Sequence, residues 1–222
     1  MKLFVATHNQ HKIREIGQIL PGFEIVADDP DGVEENAPDF IGNAFIKVRA
    51  IAAKHRGAWC LADDSGLEVA ALGGEPGVRS ARYSEGKEEL VLSLRSGKDS
   101  ASPLREELVA SQTSGEGAAS PLTRTQMNNA LLLKNLAGVT DRRANFTCAI
   151  ALVDPHGGEH SAVGKCFGRI AEAPSGAEGF GYDPLFVPDG HDKSFAELSA
   201  EEKNAISHRG RALAEAVKVL KA

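Results

Sequence analysis

Cysteine is scarce. Cys60, Cys148 and Cys166 are odd in number and far apart in the 222-residue chain. That excludes a disulfide framework and the paired spacing of a structural metal site, and it predicts buried, reduced thiols. Long apolar runs are also missing. None approaches the roughly 18 residues of a membrane span, so no membrane partner is expected. The start, MKLFVATHNQ, turns polar after Ala6, which argues against a signal peptide and for a cytoplasmic protein. Positive charge is in deficit: 25 Lys and Arg stand against 31 Asp and Glu, a formal charge of −6. A general nucleic-acid binder needs a basic footprint, so the charge balance argues against that class and no nucleic-acid partner is expected. A small anionic ligand stays open, because local charge governs a pocket.

What is present reads as an α/β protein. The length suits one large α/β domain or two small ones. Residues 2–6 and 23–27 read as strands, and 12–20 as a helix with Ile13, Ile16 and Leu20 on one face. A longer helix is expected at 40–55, with Phe40, Ala44, Val48 and Ile51 as its stripe. Residues 58–62 and 66–72 are strand-like, with Asp63-Asp64-Ser65-Gly66 interrupting them. Another helix is expected at 127–136. A hairpin is expected at 144–153 and 159–170, and a last helix at 201–221 after a Ser-Ala-Glu-Glu start. Early alternation and a late hairpin predict a mixed sheet flanked by helices. Residues 85–126 show little periodic apolar signal outside 104–111, which looks helical. The stretch reads as a surface insertion.

Four stretches carry candidate chemistry. In ATHNQHK, residues 6–12, a strand ends and a helix begins. Helix N-termini suit phosphate, Thr7 and Asn9 add donors, and Lys12 adds a charge. Walker-type glycines are absent. A plain helix cap with an exposed Lys12 is the competing reading. The second set is acidic: Glu34, Glu35, Asp63 and Asp64. Adjacent carboxylates repel and strands disfavour Asp, so a cation or a proton should relieve Asp63-Asp64. Mg²⁺, held by one or two carboxylates plus substrate phosphates, would do so. A simple turn at Asp64-Ser65-Gly66 would also account for the residues. The third, SGAEGFGYDPLF, offers flexible glycines and an aromatic face in Phe180 and Tyr182, or an ordinary glycine loop with a buried aromatic. The fourth, EEKNAISHRG, brings Lys203, His208 and Arg209 close in sequence, or forms a solvated helix face.

Taken in order, ATHNQHKIREI, FIGNAFIKVRA, ADDSGLEVAALGGEPGVRSARYS, GFGYDPLF and EEKNAISHRG resemble the inosine triphosphate pyrophosphatase family. These house-cleaning enzymes hydrolyse non-standard purine nucleoside triphosphates. The resemblance covers almost the whole chain. It implies an elongated mixed sheet flanked by helices, two lobes with a central nucleotide cleft, and a homodimer. It implies a single domain over 1–222, with 85–126 longer than the family's usual connection.

The resemblance also implies roles. Thr7, His8, Asn9, Gln10, His11 and Lys12 would hold the triphosphate. Asp64 would be the catalytic carboxylate and, with Glu35, a Mg²⁺ ligand. Ser65 would touch substrate. Phe180, Gly181, Tyr182 and Asp183 would form the nucleoside wall. Lys203, His208 and Arg209 would contact the nucleotide, the last two near the base. Many relatives carry Glu where this chain has Gly42. Rival readings are a catalytically weak nucleotide sensor and a pyrophosphatase for other modified nucleotides.

Overall fold

The computed structural model of the chain describes residues 1–28, 32–87, 89 and 122–221. Six strands are seen among them: β1 (Lys2–Ala6), β2 (Glu24–Asp28), β3 (Trp59–Val69), β4 (Arg143–Val153), β5 (Glu159–Ile170) and β6 (Phe186–Pro188). They form one sheet in the order β2-β1-β3-β4-β5-β6. β1 runs parallel to β2 and β3, and the later neighbours are antiparallel. The parallel pairs need crossover helices, which α1 (Gln10–Ile19) and α2 (Phe40–Lys54) supply. Further α-helices among the described residues include α3 (Arg124–Asn135), α4 (Ala200–Ile206) and α5 (His208–Leu220). The expected mixed, helix-flanked sheet is therefore present.

Strand side chains alternate between faces, and this sorts the core. Leu61 of β3 packs with Leu3, Ile16 and Leu213 on the α1 and α5 side. Its neighbours Cys60 and Ala62 pack with Phe40, Ala44, Val48 and Ile51 of α2 on the other side. A third cluster lies where β3 and β4 continue past these helices. There Leu67, Val69 and Phe146 meet Leu131 and Leu132 of α3, with Phe186 and Phe195. The long strands thus carry apolar packing at both ends, and the polar middle of β3 lies between.

Three expectations are corrected. Asp63 to Gly66 do not interrupt β3. Each pairs with β4, from Asp63 with Ile150 to Gly66 with Thr147, and this pairing overrides the low strand propensity of Asp and Gly. Gly66 is there for close approach: a Cβ would lie 2.5 Å from the Gly77 carbonyl and from Ser80 Oγ. The strand then ends at Val69, and 70–72 form a 3₁₀ turn. Second, the C-terminal helix is two helices. Ser207 is extended (φ −68°, ψ 159°) and caps α5 by accepting the Gly210 N–H at 3.1 Å. Third, α3 begins before 127, inside the stretch read as an insertion. Thr123 and Gln126 form a capping box that starts it. The helix expected at 104–111 lies outside the described residues.

All three cysteines are buried and unpaired. Burial pushes the Cys60 and Cys166 thiols up to about 11 and Cys148 to about 12, so none is a reactive thiolate. Among the described residues no helix is long and apolar enough to cross a membrane.

Candidate active site

Asp63 and Asp64 do not share a site. As strand neighbours they project to opposite faces of the sheet. Asp63 faces α1 and α5, where its side chain is fully buried. The Arg209 guanidinium donates to its Oδ2 through Nε (3.2 Å) and Nη2 (2.9 Å). Lys12 Nζ lies 3.2 Å from its Oδ1 as an ion pair, without the angle of a hydrogen bond. Burial opposes ionisation of Asp63, but Lys12 and Arg209 outweigh it and hold the carboxyl well below its usual range. The positive charge beside Asp63 comes from the chain's own Lys12 and Arg209 side chains.

Asp64 faces α2. Lys47 Nζ donates to Asp64 Oδ1 at 2.9 Å and to Glu35 Oε2 at 3.1 Å. Asn43, one turn earlier on α2, places Nδ2 3.4 Å from Asp64 Oδ2. Its Oδ1 accepts the Ala37 N–H at 2.9 Å, tying the loop that carries Glu35 to the same helix. Burial raises Asp64 above its ordinary carboxylate range despite Lys47. For Glu35, burial also pushes upward, but Lys47 outweighs it and leaves the group lowered. Two carboxylates pushed apart in this way can divide acid and base roles. Both accept from the same Lys47 ammonium, which sets the two carboxylates close enough together to share a metal ion through their other lone pairs. That geometry fits Mg²⁺ held by two carboxylates, with phosphate oxygens and water completing the shell. Among the described residues no group of three or more His, Cys, Asp or Glu is placed to hold a metal unaided.

Gly42 sits in the first turn of α2. Its N–H donates to Asp39 Oδ1 at 2.7 Å, and a Cβ there would lie 2.6 Å from Ala37 Cβ. The 37–39 segment has closed onto the space that a side chain would use, while Asn43 and Lys47 keep Asp64 and Glu35 in place.

The first loop is arranged by Asn9, the N-cap of α1. Its Oδ1 accepts the His11 and Lys12 N–H groups at 2.9 and 3.4 Å, and its own N–H donates to Thr7 Oγ1. The cap reading is thus right for Asn9. Lys12, however, is largely buried and reaches Asp63. His11 turns elsewhere, stacking on Phe180 with ring centroids 5.1 Å apart and 24° between planes. Gln10 is exposed and does not line the cavity described below.

The opposite wall comes from the 179–183 loop and the α4–α5 junction. Asp183 is buried and accepts from the Phe180 N–H and from Lys203 Nζ, each at 2.7 Å. Gly179 has φ +78°, and any side chain on it would collide with the Asp183 carboxylate. The loop therefore folds around Asp183 and presents the Phe180 ring. Tyr182 is a core residue whose hydroxyl donates to the Ser80 carbonyl at 2.9 Å. Gly181 offers its carbonyl to Asn129 Nδ2 at 3.1 Å. His208 stacks on Phe146 at 4.7 Å. Burial lowers His208 well below the ordinary imidazole range and keeps it neutral. Its Nδ1 finds no hydrogen-bond partner among the described residues.

Two residues of this assembly were not singled out from sequence. Glu15 of α1 accepts from Lys203 Nζ (2.7 Å) and from the Arg209 guanidinium. It completes a chain of alternating charge: Asp183, Lys203, Glu15, Arg209, Asp63, Lys12. With Ser65 Oγ also accepting from Arg209 at 2.9 Å, four guanidinium hydrogen bonds are committed within the protein. Lys47 is the second omission. Its signal was readable, because it occupies the i+7 position of the stripe begun by Phe40, where a core residue belongs. Glu15 gave a weaker hint, one turn beyond Lys12.

These groups meet in one cavity of about 640 Å³. Thr7, His8, Asn9, His11 and Lys12 line one side, Glu35, Lys47, Asp64 and Ser65 the floor, and Phe180 to Asp183 with Lys203, His208 and Arg209 the far side. Arg82, at the end of the 3₁₀ segment Gly77–Arg82, and Arg124 of α3 also line it. Lys12, Lys47, Arg82, Arg124, Lys203 and Arg209 outnumber Glu35, Asp64 and Asp183. Asp63 and Glu15 behind the lining pair with Lys12, Lys203 and Arg209, so the charge around the pocket is close to balanced in a chain of charge −6.

A family model described as the Ham1 family matches residues 3–104 and 109–219. The chain is 40% identical, over its whole length and 95% of the relative, to a protein of Mycobacteroides abscessus named dITP/XTP pyrophosphatase. It is 42% identical, over its whole length and 96% of the relative, to one of the same name from Leifsonia xyli. Among solved structures, the Staphylococcus aureus Ham1 protein superposes with a TM-score of 0.72 at 35% identity, covering 100% of this chain and 98% of that one.

Proposed function

From the premise that the chain belongs to the Ham1 family, we infer that it hydrolyses non-standard purine nucleoside triphosphates. The substrates are ITP and XTP with their deoxy forms, and the products are the monophosphate and pyrophosphate. One observation carries this reading: a single cavity joins the Asp64–Lys47–Glu35 cluster to the Phe180 and His208 wall. A triphosphate matches the first and a purine the second.

Asp64, raised by burial, orients or deprotonates the water that attacks the α-phosphorus. Asn43 and Lys47 fix its two oxygens. Glu35 and Asp64 would hold Mg²⁺, which when bound neutralises charge on the phosphate oxygens. Lys12 stabilises the departing pyrophosphate. Two α1 amides, His11 and Lys12, are bonded to Asn9 and offer little to phosphate without breaking the cap. At the base, the 6-keto group of hypoxanthine or xanthine accepts a hydrogen bond where adenine presents an amino donor. Neutral His208 is the available partner, since Arg209 is spent largely on carboxylates and Ser65. In the tautomer whose N–H faces the base, His208 meets the adenine amino group donor against donor, which leaves a buried group unpaired and disfavours adenine by about 1–3 kcal/mol.

A homodimer and a cytoplasmic setting belong to the same reading, the second supported by three unpaired thiols. Sedimentation of the purified chain tests the first. The substrate assignment is tested by pyrophosphate release from ITP, XTP, GTP and ATP, each with Mg²⁺ and with EDTA. Metal-dependent release from ITP and XTP, at least about tenfold above ATP, is expected. Equal turnover of ITP and ATP contradicts it.

A further inference from the structure

We propose that His11 is one wall of a two-ring clamp that closes on the purine base, with Phe180 as the other wall. This rests on the reaction inferred above but concerns a contact apart from the phosphate chemistry.

The observation is the division of labour in the first turn of α1. Lys12 points to Asp63, while the preceding His11 lays its ring on Phe180, at 5.1 Å and 24°. The His11 N–H is taken by Asn9, so neither its amide nor the face it turns to Phe180 is directed at phosphate. The two walls differ in freedom. Phe180 is fixed by its N–H bond to Asp183 and by the left-handed glycines beside it, Gly179 and Gly181. Lys203 Nζ and the Arg209 guanidinium carbon lie 5.1 and 5.7 Å from its ring centre, attracted to the π system. His11 is solvent-exposed and free to change rotamer. One wall is rigid and the other adjustable.

Both rings line the cavity. At 5.1 Å they leave no slot between them. A base sandwiched between two rings needs about 7 Å, twice the ordinary carbon–carbon contact distance. A side-chain rotation of His11 by about 2 Å provides it without disturbing the Asn9 cap. A fused purine covers both rings more fully than a pyrimidine does, so the clamp adds to purine selection through contact area.

The test compares His11→Ala and His11→Phe with the wild type. The readouts are the KM and kcat for ITP, and competitive inhibition by inorganic tripolyphosphate, which reports the phosphate subsite alone. The Ala variant should raise KM for ITP about tenfold with kcat little changed. Tripolyphosphate inhibition should be unaltered, and the Phe variant should restore KM. Three results overturn the clamp: unchanged KM in His11→Ala, lowered KM, which would mean that the ring blocks the base, or parallel weakening of ITP and tripolyphosphate, which would make His11 a phosphate ligand. If the wild type releases no pyrophosphate from ITP, the proposed function falls. The clamp is then decided by calorimetric binding of IMP, weakened by Ala and restored by Phe if it is right. Absent or Ala-insensitive IMP binding overturns it.

Discussion

Asp63 and Asp64 differ in role because a strand turns successive residues to opposite faces. Asp63 is sealed against Arg209, and Asp64 looks into the cavity with Lys47. Their neutral variants should therefore fail differently. Asp64→Asn should fold normally and lose at least about 100-fold in turnover of ITP. Asp63→Asn leaves Arg209 with Glu15 as its one carboxylate and takes the paired carboxylate from Lys12, and should cost about 3–5 kcal/mol in urea unfolding. The adjacency of two carboxylates was legible in the sequence, and so was the demand for a cation. Their separation was not, because Asp64-Ser65-Gly66 has the composition of a turn and only pairing with β4 shows that β3 runs through it. His208 gives a pH signature. Its folded pKa lies well below its ordinary value near 6.5, so the unfolded chain binds the extra proton. Its contribution is complete above about pH 6.5 and is lost as pH falls below it, by up to about 1.4 kcal/mol per pH unit. His208→Gln should flatten the fall in Tm between pH 6.5 and 5 relative to wild type. An unchanged slope would show that His208 is not buried neutral.

Helix α1 is pinned to α4 and α5 through one carboxylate. Glu15 reaches Lys203 on α4 and Arg209 on α5, and burial is outweighed there by the two cations, which hold it ionised. Glu15→Ala leaves Lys203 with Asp183 and Arg209 with Asp63. The expected loss is about 1–3 kcal/mol, smaller than that of Asp63→Asn and measured in the same urea series. Helix periodicity located α1 and α2, but it is blind to contacts between helices far apart in sequence, so Glu15 stayed hidden. The split of the last helix at Ser207 was hidden for a related reason. Its residues are compatible with a continuous helix, and only the Ser207 cap shows the new start that places His208 and Arg209 at the cavity.

Across the whole molecule, the long strands β3 and β4 join packing clusters at both ends, and the cavity lies over the polar middle of β3. The five stretches quoted above were legible in the sequence, and each supplies residues to this cavity. The cation that bridges Glu35 and Asp64 was missed, because Lys47 reads as a surface lysine unless its place on the α2 stripe is counted. Product identification by phosphorus NMR, with ITP and Mg²⁺, tests the central claim most directly. Attack at the α-phosphorus predicts IMP and pyrophosphate as the first products, lost in Asp64→Asn. IDP and orthophosphate would place the attack at the terminal phosphate and contradict the account.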